Sequence, residues 1–197
     1  MYGIYADGAV IAKFVAPMTV RTNHPVFASD TLSLKRQIVR RQAQRWEIET
    51  QLEPLSYTAN ELFVSLVTKG YSEAVTILTP QNIGVIRART STGTPTITGA
   101  QGEDLVTVSG NSGLIPKGTF LKFQTHSKIY MTTTNRLDNG TVGVYPNMLE
   151  AVTGALFNYK DDVLMTCLYD LDTISGMSFS DGILMDMGTI KLIEFLE

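Results

Sequence analysis

Hydrophobic and polar positions alternate most regularly in the segment from Arg45 to Leu52. One face carries Trp46, Ile48, Thr50 and Leu52, and the other carries Arg45, Glu47, Glu49 and Gln51. A period of two residues is typical of a β-strand with one buried face. The pattern therefore predicts a strand, and it places Trp46, the only tryptophan of the chain, in the core.

A short helix is predicted soon after this strand. Thr58 and Glu61 form a capping-box pattern, in which both side chains can bond to backbone N–H groups of the first turn. The helix should end before Gly70, with an apolar face made of Leu62, Phe63, Leu66 and Val67. Residues 74–78 then have the composition of a returning strand.

The middle of the chain contains several short strand patterns separated by turn signals. Residues 90–113 are rich in Thr, Ser and Gly, as loops and short edge strands often are. Apolar segments of strand length lie at residues 105–108, 120–123, 128–131 and 141–144. Asn139 and Gly140 predict a tight hairpin before the last of these segments, because both residues tolerate a positive φ. Together these signals predict a small, OB-like β-barrel.

Longer alternating runs return after Gly154. One face of the next run carries Val163, Met165, Cys167 and Tyr169, and Ile190 and Leu192 begin a terminal strand. We therefore predict a mainly β protein: an outer β-sandwich or β-barrel with one short helix from residues 1–83 and 155–197, and a small β-barrel inserted at residues 84–154. We also expect the insertion to be excisable, leaving a folded outer domain, because Ser-, Gly- and Thr-rich joints flank it.

Composition and charge exclude several functional classes. The formal net charge of -3 over 197 residues gives no electrostatic footprint for nucleic acid, which usually calls for a clearly basic patch or domain, so we do not expect tight DNA binding. The sequence shows no secretory leader pattern and no run near the ~18 to 20 apolar residues that span a bilayer. We therefore expect synthesis and assembly in the cytoplasm without membrane insertion. Cys167 is the only cysteine, which excludes an internal disulfide, and we expect it to be an inert core thiol.

Candidate catalytic residues are few. His24 and His126 are the only histidines, and neither has the spacing of a helical metal site, so we expect solvated or hydrogen-bonded loop histidines. The aspartates near the C-terminus stand where turn roles are common, namely Asp161, Asp162, Asp170, Asp172, Asp181 and Asp186. No glycine-rich phosphate loop occurs. The sequence therefore predicts no catalytic residue, no cofactor and no metal site.

Positive charge is concentrated in one segment, residues 35–45. The arginines of this segment are Arg36, Arg40, Arg41 and Arg45. In the simpler interpretation they are solvated, with Arg45 beside Glu47 or Glu49. Because the planar guanidinium also suits ion pairs between subunits, these four arginines are candidates for a subunit interface.

Two stretches resemble the distal tail proteins of long-tailed bacteriophages. The first has the order strand, helix, strand and comprises Gln44-Arg45-Trp46-Glu47-Ile48, the helix at residues 62–69 and Ala74-Val75-Thr76-Ile77-Leu78. The second is similar to the small β-domain inserted in many such proteins and comprises Ile115-Pro116-Lys117-Gly118-Thr119-Phe120-Leu121-Lys122-Phe123, Lys128-Ile129-Tyr130-Met131-Thr132 and Gly143-Val144-Tyr145-Pro146-Asn147-Met148-Leu149.

The resemblance implies a tail-tube type of outer domain and a structural, non-enzymatic role in the tail tip or baseplate of the virion. It implies a homo-oligomeric ring, a hexamer, that joins the tail tube to the central hub. The other implied partners are fibre and receptor-binding proteins of the tail.

Two other functions stay open from the residues alone. A carbohydrate-binding module would use Trp46, Tyr130 or Tyr145 as a stacking platform, although Trp46 is predicted to face inward. A carboxylate-dependent hydrolase would have to build its site from Asp170, Asp172, Asp181 and His126.

Overall fold

The computed structural model describes residues 2–6, 8–30, 36–40, 44–53, 62, 64, 67, 68, 70–173, 178–180, 184–186 and 188–196. These residues form a mainly β protein with two closed barrels of six strands each, which confirms the predicted fold class. In the described part of the chain, no helix is long and apolar enough to cross a membrane.

The strands and the helix are numbered in chain order. The first part contains β1 (Gly3–Ala6), β2 (Ala9–Asn23), β3 (Val26–Asp30), β4 (Arg36–Arg40), β5 (Arg45–Leu52), β6 (Val75–Leu78) and helix α1 (Ile83–Ala88). The middle contains β7 (Thr96–Gly99), β8 (Leu105–Ser109), β9 (Leu114–Ile115), β10 (Phe120–Phe123), β11 (Ile129–Thr132), β12 (Arg136–Leu137), β13 (Gly140–Tyr145) and β14 (Val152–Asn158). The last part contains β15 (Leu164–Tyr169), a 3-10 turn (Leu171–Thr173), β16 (Ser178–Ser180), β17 (Leu184–Asp186) and β18 (Thr189–Glu194).

The outer barrel is built from both ends of the chain. Its strands follow the order β1-β2-β5-β18-β15-β6, and β6 closes the barrel against β1. The alternation predicted for β5, β15 and β18 is confirmed, because the apolar face of each strand is buried. Trp46 and Cys167 belong to this core, as predicted.

The chain leaves the outer barrel to form the second barrel and returns to the outer barrel at the same place. Its strands follow the order β10-β11-β13-β8-β7-β14 and lie between Thr96 and Asn158. Leu78 at the end of β6 is the register partner of Leu164 at the start of β15, so both connections emerge from neighbouring strand ends. The second barrel thus occupies the place of a hairpin turn in the outer barrel. The predicted limits, residues 84 and 154, fall inside α1 and β14.

The two cores differ in which barrel supplies their residues. The core of the second barrel consists of residues 97–159 alone. The core of the outer barrel also contains Ile129 from β11, and Phe120, Met131 and Tyr145 of the second barrel pack against it. Excision of the second barrel would therefore remove part of the outer core, which changes the expectation that the outer domain stays folded without it.

A two-stranded ribbon extends the outer barrel beyond β2 and β5. The pairing of β2 with β5 ends at Asn23 and Arg45, and β3 then pairs with β4 from Val26 and Arg40 to Asp30 and Arg36. Since β1 covers only residues 9–13 of β2, no strand in the described residues pairs with the other side of Thr19–Asn23 or of β3. We call residues 19–23 and 26–30 the open edge.

The predicted helix and hairpin need correction. Leu62 is buried and helical, but Val67 is 59% exposed and does not share the buried face; Phe63 and Leu66 lie outside the described residues. The tight Asn139-Gly140 hairpin was wrong, because β12 pairs with β9 and positive φ occurs at Asp138 and Gly140. The loop that joins β11 to β13 is longer, and the Asp138 and Asn139 side chains bond backbone amides of residues 113 and 111.

Candidate functional site

Trp46 fastens the two barrels together at their junction. Strand β5 directs the indole toward the second barrel, where Nε1 donates a hydrogen bond of 2.9 Å to the carbonyl of Ile129. The ring meets Phe120 edge-on at 5.1 Å and Tyr145 at 5.9 Å between centroids. The indole thus provides both apolar contact and a directed hydrogen bond, which suits a buried tryptophan.

A buried ion pair lies beside Trp46. Lys128 of the second barrel places Nζ 2.5 Å from Oε2 of Glu194, and the side chains are 3% and 0% exposed. The same ammonium donates to the carbonyl of Gln44 at 2.8 Å and to its Oε1 at 2.7 Å. Because a lysine has three N–H donors, these three acceptors satisfy it completely.

Both oxygens of the Glu194 carboxylate also accept hydrogen bonds from the backbone. Its Oε1 accepts the backbone N–H of Ile129 at 2.8 Å, and its Oε2 accepts that of Trp46 at 3.1 Å. Burial lowers the pKa of Lys128, and the adjacent Glu194 acts against that shift. A buried charge needs such complete pairing, since removal of one partner leaves the other desolvated and unpaired.

The sequence carried an overlooked signal for this junction. Gln44 has the parity of Trp46 and Ile48, Lys128 has that of Tyr130, and Glu194 has that of Ile190 and Leu192. Each polar residue therefore extends the buried face of a strand, where an unpaired polar group would be costly. Three such positions, at the ends of three strands, each need a polar partner, and Lys128 and Glu194 carry opposite charges.

Two further contacts join the barrels. The side-chain amide of Gln81 acts as a backbone substitute, since Nε2 donates to the carbonyl of Phe120 and Oε1 accepts its N–H. The hydroxyl of Tyr145 contacts Nε2 of His24 and lies 2.9 Å from Oγ1 of Thr22. The junction therefore connects β2, β5, β18 and the segment after β6 to one side of the second barrel.

Charged residues form a paired grid on the outer face of β2, β5 and β18. Lys191 lies 3.2 Å from Glu47 and 2.9 Å from Asp170, and Arg21 lies 3.2 Å from Glu49. The hydrogen bond between Lys191 and Asp170 lowers the pKa of the carboxyl and raises that of the amine. Each acid of this grid thus has a cationic partner, and Lys191 is shared by Glu47 and Asp170.

Arg45 stands at the edge of this grid and is exposed. Its nearest acid along the strand, Glu47, is held by Lys191 and by a 2.6 Å hydrogen bond from Asn23. Within the described residues the guanidinium of Arg45 makes no ion pair. Arg36 and Arg40 lie at the two ends of β4 in the ribbon, whereas Arg41 lies outside the described residues.

The candidate hydrolytic residues have local structural roles. The Asp170 carboxylate accepts the amide of Asp172 at 3.3 Å, and the carboxylates of Asp162 and Asp186 bond nearby amides in the same way, as predicted for turn residues. The expectation of a solvated or hydrogen-bonded His126 was wrong, because its ring packs against Phe123 and Tyr130 and both ring nitrogens are buried without a hydrogen bond in the described residues. Asp181 lies outside the described residues. Burial raises the pKa of the Cys167 thiol, as expected for an inert core cysteine. Among the described residues, no cluster of metal ligands occurs.

The aromatic residues considered for carbohydrate stacking are mostly internal. Trp46 is 5% exposed, Tyr130 is fully buried, and burial raises the pKa of Tyr130 to about 12. Tyr145 is half-buried at the junction. Neither Trp46 nor Tyr130 therefore presents a ring face to a sugar.

The chain matches no protein-family model, and comparison with curated proteins finds no relative. One side of the outer barrel holds the second barrel through a satisfied buried network, and another side ends in the open edge beside Arg45. The first surface fixes the geometry of the junction within the chain, whereas the open edge has no strand partner among the described residues.

Proposed function

We propose that this protein is a structural subunit of a phage tail tip or baseplate. In this role, copies of the outer barrel form a closed ring, a hexamer, that connects the tail tube to the central hub. The second barrel projects from the ring and contacts fibre or receptor-binding proteins. The proposal rests on the resemblance to distal tail proteins together with the open edge of the outer barrel.

The open edge is the observation that carries this proposal. An exposed strand edge presents unpaired N–H and C=O groups, and it invites pairing with another chain unless it is protected. Here the edge runs through the end of β2 and continues into β3, beyond the closed part of the barrel. A two-stranded ribbon is only marginally stable alone, so a neighbouring subunit would stabilise it. A repeated heterologous contact around an axis would cover every edge once.

The charge of the region fits an acidic neighbour. Each acid of the grid beside the edge already has a cationic partner, whereas Arg45 has no acidic partner in the described residues. An arginine at an interface gains most when a carboxylate meets its planar guanidinium from the other chain. We therefore assign Arg45 to the subunit interface, together with Arg36, Arg40 and Arg41.

The test is charge reversal at the proposed interface. Arg45→Glu, and Arg40→Glu combined with Arg41→Glu, should lower the mass measured by light scattering while the melting temperature stays near that of the wild type. Lys117→Glu is the matched control for Arg45→Glu, because Lys117 is exposed in the second barrel and the charge change is the same. Rings of wild-type mass in both arginine variants would place the interface elsewhere and count against the proposal.

A further inference from the structure

Both histidines of the chain lie at or beside the junction of the barrels. His24 contacts the Tyr145 hydroxyl across the junction. His126 precedes Lys128 by two residues, and Lys128 is the lysine that binds Glu194 and Gln44. A histidine is the side chain that changes its charge near neutral pH, so its place beside a buried ion pair affects how the junction responds to acid.

The ring of His126 is held without a polar partner. Both ring nitrogens are buried, and neither makes a hydrogen bond in the described part of the chain. The ring meets Phe123 edge-on at 5.2 Å and Tyr130 at 5.5 Å between centroids, and both of these residues belong to the core of the second barrel. This environment suits a neutral imidazole, because a protonated ring would bury two donors without acceptors.

The charged groups around His126 act in opposite directions. Glu150 is the acid that faces it, whereas Lys122 and Lys128 are cations, and Tyr130 is a titratable neighbour in direct ring contact. From the outer barrel, Thr166 lines the same cleft and carries no charge. Burial is the main cause that lowers the pKa of His126, Glu150 raises it, and both lysines lower it.

From this geometry we infer that the junction of the barrels is sensitive to acid. Protonation of His126 weakens the contacts of Lys128 with Glu194 and Gln44 of the outer barrel. The protonated ring has to leave its apolar contacts with Phe123 and Tyr130 to reach solvent or Glu150. It lies in a turn that leads directly into Lys128 and β11, so that movement displaces the residue that binds Glu194. The inference concerns the single chain and does not depend on ring formation.

The direction of the pH effect follows from proton linkage. The pKa of His126 is lower in the folded protein than in the unfolded chain, so the unfolded chain binds the proton more readily. Stability from this group is therefore complete above the ordinary histidine pKa of about 6.5 and decreases as the pH falls below it. A fall in pH, and not a rise, should therefore weaken the junction of the barrels.

The experiment uses the full chain and its single tryptophan as the reporter. Histidine NMR resonances, the Trp46 indole N–H resonance and Trp46 fluorescence are followed from about pH 8 to about pH 5. We expect His126 to titrate below the ordinary histidine midpoint, and the Trp46 signals to shift with the same midpoint as the indole loses its contact with Ile129. His126→Phe, which keeps an aromatic ring against Phe123, should abolish the pH-dependent Trp46 shift.

The control variant is His24→Gln, which removes the other imidazole while its side-chain amide can still bond the Tyr145 hydroxyl, and it should retain the Trp46 shift. Trp46 signals that stay constant through the titration of His126 would overturn the inference, as would a shift that survives in His126→Phe or disappears in His24→Gln. If His126→Phe does not fold, the two midpoints in the wild-type protein provide the test. Different midpoints for His126 and Trp46 would contradict the inference that protonation of His126 weakens the junction.

Discussion

The two barrels have the same number of strands but unequal independence. The second barrel closes around a core made only of its own residues, from Ile97 to Tyr159. The outer barrel takes Ile129 from the second barrel into its core, and its open edge has no strand partner among the described residues. Equal strand counts therefore do not imply equal self-sufficiency. The core of the outer barrel is completed by residues of the second barrel. In our proposal, its open edge is covered by the next subunit.

The largest expected effect comes from separating the barrels. A chain in which residues 82–160 are replaced by a short Gly-Ser linker should lose cooperative folding, because the outer core loses Ile129 and the packing of Phe120 and Tyr145. The linker itself should not strain the chain, since Leu78 and Leu164 are register partners.

The converse fragment provides the matched comparison. Residues 89–161 alone should fold, because they keep their complete core and the contacts of Arg89 with Tyr159 and Asp161. Circular dichroism and thermal melting of both fragments decide the question. A folded outer fragment beside an unfolded second barrel would reverse the comparison.

The next effect concerns the buried ion pair. Glu194→Ala should destabilise the protein by about 3 to 5 kcal/mol, because Lys128 stays buried without its partner. Glu49→Ala is the exposed counterpart, and loss of its ion pair with Arg21 should cost only about 0 to 1 kcal/mol. Denaturant unfolding measures both variants. Equal losses would mean that the junction is not effectively buried.

Trp46 tests the apolar part of the junction. Trp46→Ala should destabilise the protein by about 3 to 5 kcal/mol through the cavity it creates. Trp46→Phe keeps most of the ring contact with Phe120 and should destabilise the protein less. Its main effect is to leave the carbonyl of Ile129 without its donor, which should cost about 1 to 3 kcal/mol. If Trp46→Ala melts like the wild type and only binds partners more weakly, the residue is a surface contact instead.

The smallest effect on stability is expected for Arg45. Arg45→Glu should change the free energy of unfolding by no more than about 0.5 kcal/mol, because the side chain is exposed and unpaired in the described residues. Its expected effect is on assembly, through an ion pair that high salt would screen. A large loss of stability in the monomer would show that Arg45 supports the outer barrel itself.

The sequence predicted the features that depend on local periodicity. The alternation in β5, β15 and β18 indicated which residues are buried, because each of these strands has one face in a core. The Asn139-Gly140 hairpin was predicted wrongly, because the pairing of Arg136–Leu137 with β9 overrides the local turn preference. The junction was missed because Lys128 and Glu194 are 66 positions apart and meet only when both barrels have closed.

The native mass of the full chain in solution is the strongest test of ring assembly. Light scattering across a range of concentrations, with negative-stain images of the same sample, measures both stoichiometry and closure. We expect a single species with the mass of a hexamer and ring-shaped views, since a closed ring covers every open edge. A monomer at every concentration, with the edge beside β2 uncovered, would contradict ring assembly.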